Sequence, residues 1–220
     1  MSLVRADRGQ LVEGAAALDV ELSPLQVDQL LAYLDLIQKW NKVYNLTAVR
    51  DPADMLTHHL LDSLAVISPL RRHPGVMGVD ASAKLLDVGS GAGLPGIVIA
   101  ICFPQLAVHC VDTVAKKAAF LNQAAVTLKL DNLRAIHARV ENLTEQYDVI
   151  SSRAFASLAD FTTWSGGALK HRGVWLAMKG QHPQAEMDAL QLGIEVFHVE
   201  QLTVPGLDAE RCIVWMQRAR

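Results

Sequence analysis

One stretch constrains the fold more than any other: residues 84–96, which read KLLDVGSGAGLPG. A short apolar run contains an acid near its end and meets a cluster of glycines, and a second apolar run, IVIAICFP, follows directly. This order predicts a buried strand, a tight turn and the start of a buried helix. Such a βα unit binds nucleotide-like cofactors, because the turn lets the backbone approach the ligand and the helix begins there with free amide groups.

Strand-like and helix-like segments alternate after this stretch. The predicted strands are 84–88, 107–111, 134–138, 147–152 and 173–178, and the predicted helices are 94–102, 114–129, 158–169 and 183–192. Alternation of this kind implies an α/β fold with a doubly wound, mostly parallel sheet and helices on both of its faces. Two late apolar runs, 194–199 and 212–217, flank a Pro-Gly pair at 205–206 and predict an antiparallel hairpin.

The N-terminal part predicts a helical cap on this sheet. Residues 1–20 have only a weak pattern, whereas a Ser-Pro pair at 23–24 starts a helix whose apolar residues continue to position 40. Residues 41–50, NKVYNLTAVR, predict a loop, and an Asp-Pro pair at 51–52 begins a second helix that Pro69 or Pro74 ends. We therefore divide the chain into a cap, residues 1–80, and a cofactor-binding core, residues 81–220, which form one compact unit.

Composition and charge restrict the function only weakly. The chain has 20 basic and 23 acidic residues, so any nucleic-acid-binding surface has to be local. Cys102, Cys110 and Cys212 lie in apolar segments and indicate free thiols in a reducing compartment. No secretory signal pattern opens the chain, and its longest apolar run, 96–103, is too short to span a bilayer. We expect a soluble cytoplasmic protein that makes no membrane contact, and a monomer, because no long apolar surface demands a dimer.

The glycine pattern suits two cofactors. Gly89, Gly91, Gly93 and Gly96 form G-x-G-x-G-x-x-G, whose last part satisfies the dinucleotide-binding pattern. Asp112 ends the second predicted strand, about 20 residues beyond Gly93, where a carboxylate accepts both hydroxyls of an adenosine ribose. NAD and S-adenosylmethionine both carry that ribose. The spacing therefore leaves open an NAD-dependent oxidoreductase and a methyltransferase.

Two further features favour S-adenosylmethionine. Asp87, two residues before Gly89, suits the cationic methionine end of S-adenosylmethionine and would repel a pyrophosphate. Its alternative role is to cap the glycine turn. The predicted hairpin is the usual last element of class I methyltransferases. We therefore expect a class I, Rossmann-like methyltransferase fold.

Motifs along the whole chain carry a closer resemblance. They are KWNKVYNLTAVR at 39–50, HHLLDS at 58–63, the glycine loop, VDTVAKKAAFL at 111–121, RVEN at 139–142, SRAFASL at 152–158 and MKG at 178–180. In these motifs the chain resembles the RsmG family of bacterial 16S rRNA guanine-N7 methyltransferases, also called glucose-inhibited division protein B. The resemblance implies S-adenosylmethionine as methyl donor and a guanine in the 530 loop of 16S rRNA as target. The substrate would be free rRNA, the 30S subunit or its assembly intermediate. The cofactor contacts that it implies are Gly89, Leu94, Val140, Glu141 and Arg153.

Guanine N7 carries a lone pair and no proton, so its methylation needs alignment and no general base. Arg153 and Lys179 follow predicted strands at the edge where such sheets bind ligands, and we expect them to hold the guanine. The alternatives for either residue are a contact with the cofactor carboxylate or a phosphate, and a surface salt bridge. The candidates for RNA binding are Lys39, Lys42, Tyr44, Arg50, Lys116, Lys117, Arg139 and Phe155, with the two aromatic residues stacking on bases. Alternatively, Tyr44 fixes the cap to the sheet, and a near-neutral charge also suits a methyltransferase of small molecules. His58 and His59 lack a third ligand at metal spacing, so we expect no metal site.

Overall fold

The computed structural model of the chain describes residues 3–49, 51–73 and 83–219. Its strands are β1 (Lys84–Val88), β2 (Ala107–Asp112), β3 (Leu133–His137), β4 (Tyr147–Arg153), β5 (Leu169–Lys179), β6 (Ile194–Leu202) and β7 (Arg211–Arg218). They form one seven-stranded sheet in the order β3-β2-β1-β4-β5-β7-β6. The first five strands are parallel, and β7 is antiparallel to both β5 and β6. The mostly parallel sheet and its C-terminal antiparallel hairpin are confirmed.

The helices cover both faces of this sheet. They are α1 (Leu3–Ala17), α2 (Pro24–Tyr44), α3 (Pro52–Met55), α4 (Asp62–Leu64), α5 (Ile67–Arg72), α6 (Gly96–Cys102), α7 (Ala115–Leu128), α8 (Leu158–Ser165) and α9 (Gln184–Asp188). A π-helical turn (Leu56–Leu61) lies between α3 and α4, and two 3-10 turns are Val140–Asn142 and Gly166–Ala168. The helices α1 to α7 share one apolar core with one face of the sheet, whereas α8 and α9 pack on the other face. The expectation of helices on both faces is therefore confirmed.

The helix α2 is longer than predicted. It begins at the expected place, with Ser23 as N-cap, but it continues to Tyr44 and ends at Asn45 in a left-handed conformation. The prediction of a loop was wrong for residues 41–44, because aromatic contacts stabilise one more turn of helix. The rings of Trp40 and Tyr44, one turn apart, lie 5.1 Å from each other, and Trp40 meets Phe120 of α7 edge-on at 5.4 Å.

The second helix of the cap is divided where a continuous helix was predicted. It consists of α3, the π-helical turn, α4 and α5, and it ends at Arg72. Pro69 does not end it, because this residue lies in the first turn of α5, where a missing amide hydrogen breaks no helical bond. Pro74 lies outside the described residues. The π-helical turn contains His58 and His59, and turns of this type are frequent at functional sites.

Three predicted elements in the C-terminal half had wrong boundaries. The helix predicted over 158–169 ends at Ser165, because the Gly166-Gly167 pair disfavours helix and forms a 3-10 turn with Ala168. The strand β5 therefore begins at Leu169, four residues earlier than predicted. The helix predicted over 183–192 is limited to α9, Gln184–Asp188.

The cap is joined to the core by polar contacts as well as by apolar packing. The Tyr33 hydroxyl on α2 donates to the Ala92 carbonyl of the glycine turn at 2.6 Å. The Gln26 side chain donates to the Ile101 carbonyl at the end of α6 at 3.1 Å. The predicted boundary between cap and core, at residues 80 and 81, falls outside the described residues.

A substitution at Gly96 tests the close approach of α6 to the sheet. A Cβ atom there would overlap the Cys110 sulfur and lie 2.9 Å from Asp87 Oδ2. Since both neighbours are fully buried, we expect Gly96→Ala to lower the free energy of unfolding by about 1–3 kcal/mol, measured by urea denaturation. The matched control is Gly9→Ala, because open space surrounds that position in α1 and alanine there stabilises a helix by about 0.5–1 kcal/mol. Equal stability of the Gly96→Ala variant and the natural chain would contradict the close approach.

Candidate functional site

Three glycines with left-handed backbone build the turn after β1. The φ angles of Gly89, Gly91 and Gly93 are +66°, +58° and +89°, a region that other residues rarely adopt. The turn is tied to the neighbouring strand, because the amide of Gly89 donates to the Val111 carbonyl of β2 at 2.9 Å. The carboxyl ends of β1 and β2 therefore meet at this turn, as the glycine pattern predicts.

Asp112, the last residue of β2, fixes the turn from the side. Its Oδ2 accepts a hydrogen bond from the Gly91 amide at 3.0 Å, and its Oδ1 accepts one from the Val114 amide at 2.8 Å. The Lys117 ammonium lies 3.8 Å from Oδ2. A carboxylate has about four lone-pair sites, so Asp112 retains acceptor capacity on the side that faces the adjoining cavity.

A cavity of about 400 Å³ opens beside the turn and is called here the glycine-turn cavity. Four predicted cofactor contacts line it, namely Gly89, Asp112, Val140 and Glu141. Three residues predicted to bind RNA line the same cavity, namely Lys117, Arg139 and Phe155. Five other predicted cofactor contacts are not among the described residues that line it: Asp87, Gly91, Gly93, Leu94 and Arg153. Of these, Leu94 is buried in the apolar core that α6 shares with the cap.

Asp87 lies beneath the turn and does not face the glycine-turn cavity. Its side chain is fully buried, with Oδ2 accepting from the Gly96 amide at 3.2 Å and Oδ1 from the Ser151 hydroxyl at 2.9 Å. Burial raises the pKa of this carboxyl to about 6, while the hydrogen bond from Ser151 favours the charged form. This geometry differs from the direct cofactor contact that we expected and matches the alternative, a cap on the glycine turn.

Phe155 packs over the glycine turn. A Cβ atom on Gly89 would overlap its ring, so the ring lies directly on the Gly89 backbone. The rings of Trp164 and Phe161 on α8 meet it edge-on, with centroids at 5.8 and 6.3 Å. Trp164 also lines the glycine-turn cavity, and no motif in the sequence singles it out. The ring of Phe155 is thus a wall of this cavity, whereas we expected it to stack on RNA.

Arg153 lies in a second cavity and binds a buried carboxylate. Its Nη1 donates to Asp62 Oδ2 at 2.7 Å and to the His58 carbonyl at 3.0 Å. On the other side, Arg211 Nε of β7 donates to Asp62 Oδ1 at 2.8 Å. The side chains of Arg153, Arg211 and Asp62 are 19%, 23% and 4% exposed. One carboxylate of the cap therefore holds two guanidinium groups, one from β4 and one from β7.

This second cavity has a volume of about 410 Å³ and is called here the arginine cleft. Besides the two arginines and Asp62, its lining includes Thr47, His58, His59, Ala154 and Lys179. Ala154 lines the glycine-turn cavity as well, and its φ angle of +50° is rare for a residue with a side chain. The segment from Arg153 to Phe155 is thus a shared wall with one cavity on each side.

His59 lies at the junction of cap and core. Its Nε2 is 3.0 Å from the Thr47 hydroxyl, and its Nδ1 has no hydrogen-bond partner among the described residues. Burial, with the nearby Arg153 as a second cause, lowers the pKa of this imidazole to about 4. His59 is therefore neutral at neutral pH. In the part of the chain that the structure describes, no group of three or more His, Cys, Asp and Glu side chains could hold a metal ion.

Lys179 reaches the rim of the arginine cleft from the end of β5. Its ammonium donates to Glu186 Oε2 of α9 at 2.7 Å and to the Ala156 carbonyl at 2.9 Å. An ammonium has three donors. One donor thus remains for a ligand of the cleft.

The remaining candidates for RNA binding lie on the surface. Lys39 and Lys42 are exposed on α2, and Tyr44 is 40% exposed beside Trp40. Lys116 is exposed at the start of α7, the helix that Trp40 contacts. Arg50 lies outside the described residues. Tyr44 therefore packs on Trp40 within the cap, and it is Trp40 that contacts the core; Tyr44 still has an accessible face.

Sequence reasoning missed two side chains of the arginine cleft. Asp62 belongs to the HHLLDS motif, but the motif does not indicate which side chain the carboxylate binds. Arg211 lies in no recognised motif, and 149 positions separate it from Asp62. The sequence contained a signal for Asp62, because an acid within an apolar helical segment needs a partner when it is buried. The sequence contained no such signal for Arg211.

No helix in the described ranges is long and apolar enough to cross a membrane.

Solved structures share the fold of this chain at low sequence identity. The structure of coclaurine N-methyltransferase bound to N-methylheliamine and SAH has a TM-score of 0.57 and 10% identity, covering 99% of this chain and 90% of that chain. The ribosomal protein L11 methylase of Lactobacillus delbrueckii has a TM-score of 0.53 and 12% identity, covering 71% and 80% of the two chains. The fold is therefore that of the class I, Rossmann-like methyltransferases, as expected.

Sequence comparison identifies the family. Residues 26–214 match the family model described as rRNA small subunit methyltransferase G, or GidB. A protein of Polaromonas sp. named ribosomal RNA small subunit methyltransferase G is 66% identical over 214 residues, which cover 97% of this chain and 95% of that protein. One of the same name from Acidovorax sp. is 65% identical over 211 residues, covering 94% and 93%. The chain belongs to the rRNA small subunit methyltransferase G family, and the resemblance read from the motifs is confirmed.

The raised pKa of Asp87 predicts a pH dependence of stability. The unfolded chain releases this proton near the ordinary value of 3.8 and the folded chain near 6, so the folded state binds more protons between these values. Lowering the pH through this window should therefore stabilise the natural chain relative to Asp87→Asn, by up to about 3 kcal/mol. Urea denaturation of both proteins across this pH range measures the difference. Parallel pH profiles of the two proteins would contradict the raised pKa.

Proposed function

We propose that this protein transfers the methyl group of S-adenosylmethionine to N7 of a guanine in the 530 loop of bacterial 16S rRNA. The observation that carries this proposal is the family match over residues 26–214, which spans the glycine turn, the arginine cleft and most of the cap. The names of the relatives state rRNA methylation but neither the atom nor the loop. The atom and the loop rest on the motif resemblance and on the chemistry of the site.

The glycine-turn cavity fits S-adenosylmethionine. Gly89, one of the left-handed glycines, lines the cavity without a side chain in the way, and Asp112 has lone pairs for the ribose hydroxyls. Glu141 is exposed at the cavity rim, where it can accept a further hydrogen bond, and Val140 provides apolar lining. Bound S-adenosylmethionine supplies an activated methyl group. Asp87 supports this site indirectly, by holding the turn and the start of α6.

The structures of relatives in fold also favour this cofactor over NAD. The coclaurine N-methyltransferase structure contains SAH, and its fold matches nearly the whole of this chain. The antiparallel position of β7 between β5 and β6 is the hairpin that we expected of a methyltransferase. An NAD-dependent oxidoreductase is therefore not favoured by any observation on the described residues.

Methylation at N7 requires positioning and no proton acceptor. The lone pair of N7 attacks the methyl carbon in line with the bond that breaks, so the protein has to align the guanine and exclude water. Arg153 or Lys179, which both lie at the carboxyl edge of the sheet, can donate to guanine O6, next to N7. Both already have protein partners, Asp62 and Glu186, which fix their positions.

RNA binding is assigned to two surfaces. One comprises Lys39, Lys42 and Tyr44 at the end of α2 with Lys116 at the start of α7. The other comprises Lys117 and Arg139 on the rim of the glycine-turn cavity, and Arg50 is a further candidate. The partner is free 16S rRNA, the 30S subunit or its assembly intermediate, and the enzyme acts as a cytoplasmic monomer. Near-neutral net charge is compatible with local basic surfaces of this kind.

A labelling experiment tests the reaction. The natural protein is incubated with radiolabelled S-adenosylmethionine and with 16S rRNA or 30S subunits from a strain that lacks this methyltransferase. We expect one methyl group per rRNA, at N7 of a guanine in the 530 loop, located by cleavage at 7-methylguanine. Substrate from a strain that contains the enzyme is the control and should take up no label. Label at another atom, or only in a small-molecule fraction, would contradict the proposed function.

A substitution at Asp112 tests the cofactor site. Asp112→Asn removes a charge and one of two acceptors, so we expect S-adenosylhomocysteine to bind more weakly by about 1–3 kcal/mol in calorimetry. Asp131→Asn is the matched control, because Asp131 is exposed just before β3, at the opposite edge of the sheet. Its affinity should equal that of the natural chain. Unchanged affinity of the Asp112→Asn variant would remove Asp112 from the cofactor site.

A further inference from the structure

The geometry points to the arginine cleft as a phosphate-binding site, which holds an RNA backbone phosphate beside the guanine that is methylated. This inference rests on the proposed function and adds a ligand group and a residue, Arg211, that the motifs do not single out. The shared chemistry is that of a phosphate, whether it belongs to the target nucleotide or is free in solution.

The two guanidinium groups are held in place before any ligand binds. Asp62 accepts one hydrogen bond from Arg153 and one from Arg211, each on a different oxygen, at 2.7 and 2.8 Å. The carboxylate itself is buried, whereas both arginines remain partly exposed to the cleft. Fixing a guanidinium in advance reduces the entropy lost when it binds an anion.

Both arginines retain hydrogen-bond donors. Arg153 uses only Nη1, and Arg211 uses Nε for Asp62 and Nη1 for the Glu210 carbonyl. In the described part of the chain, Nε and Nη2 of Arg153 and Nη2 of Arg211 have no hydrogen-bond partner. A planar guanidinium with two free N–H groups matches two oxygens of a phosphate.

The charge of the cleft also favours an anion. Two guanidinium groups face one carboxylate, so the Asp62 cluster carries an excess positive charge. The imidazole of His59 adds no charge at neutral pH, since its pKa is lowered to about 4. Lys179 on the rim is offset by Glu186. Since the cleft is partly buried, this excess charge acts in a medium of lower dielectric constant than water.

The balance of donors and acceptors distinguishes a phosphate from a guanine base. A guanine presents acceptors on one edge and an amino donor on another, and therefore needs acceptors from the protein. In the described part of the cleft, each Asp62 oxygen already accepts a bond from an arginine, whereas three guanidinium nitrogens have no partner, so donors are in excess. A phosphate presents only acceptors and matches the free donors of the two arginines.

The position of the cleft fits a phosphate close to the reacting base. Ala154 lines both the cleft and the glycine-turn cavity, so a single residue separates the two. A nucleotide bound across this wall would place its phosphate in the cleft and its base toward the methyl donor. A cluster that only joined the cap to the hairpin would need neither free donors nor an open cavity.

Binding of guanosine 5′-monophosphate and of guanosine tests this inference. Both are titrated by calorimetry into the natural protein saturated with S-adenosylhomocysteine. We expect the monophosphate to bind at least about tenfold more tightly than guanosine, and inorganic phosphate to compete with it. In Arg211→Ala the preference should fall to less than about threefold. Arg218→Ala is the matched control, because Arg218 is a second arginine of β7 that bonds the Gly166 and Lys170 carbonyls outside the cleft.

Several outcomes would overturn the inference. They are equal affinity for the two ligands, no binding of the monophosphate at millimolar concentration, or a preference that survives in Arg211→Ala. If Arg211→Ala does not fold, as judged by thermal melting, Arg211→Lys replaces it. Lysine keeps the charge but has no planar guanidinium that could bond Asp62 and a phosphate at the same time, so the preference for the monophosphate over guanosine should again decrease.

Methylation of rRNA by the natural protein is measured separately. If the protein methylates rRNA but shows no preference for the monophosphate, this inference alone is contradicted. If it prefers the monophosphate but does not methylate rRNA, the proposed function is contradicted.

Discussion

The buried carboxylate of Asp87 is the interaction on which the candidate site depends. It receives the amide at the start of α6 and the hydroxyl of Ser151 on β4, and it lies at the end of β1. One side chain thus joins the three elements that meet below the glycine turn. Burial works against its charge, as the pKa of about 6 indicates, while the hydrogen bonds work in its favour. The approach of α6 to this carboxylate is possible because Gly96 has no side chain. The position of the turn, and with it that of the glycine-turn cavity, follows from this contact.

A second buried carboxylate, Asp62, joins the elements that form the arginine cleft. It comes from the cap and binds Arg153 of β4 and Arg211 of β7, so three distant parts of the chain meet at one group. The two sites adjoin at the Arg153–Phe155 segment. Arg153 faces Asp62, Phe155 covers Gly89, and Ala154 between them has a strained backbone with φ of +50°. Strain of this kind persists only where the surroundings impose it, and here contacts on both flanks do so.

The sequence was informative wherever structure depends on local pattern. Apolar runs predicted every strand of the sheet, the glycine spacing predicted the turn, and the Pro-Gly pair predicted the hairpin. The end of α8 at the Gly166-Gly167 pair was a local signal that the prediction missed. The errors about α2, Asp87 and Arg211 arose where distant packing decides. The helix α2 continues past its polar residues because Trp40 packs on Phe120 of α7, and no local pattern contains that contact. Asp87 could be recognised as important, but only the position of α6 determines that it faces inward. The pairing of Asp62 with Arg211 depends on the order β5-β7-β6 at the edge of the sheet, which a single sequence does not reveal.

The proposed methyl transfer to guanine N7 needs alignment and no proton acceptor, so it requires that both substrates are held rigidly relative to each other. The Arg153–Phe155 segment meets that demand physically. On the side of the glycine-turn cavity, Phe155 is held by Gly89, Phe161 and Trp164. On the other side, Arg153 is held by Asp62 and by the His58 carbonyl of the π-helical turn. A shift of either flank would move the other, because only Ala154 lies between them. The Arg153–Phe155 segment therefore ties the lining of one cavity to that of the other, with Ala154 and its φ angle of +50° between the two flanks.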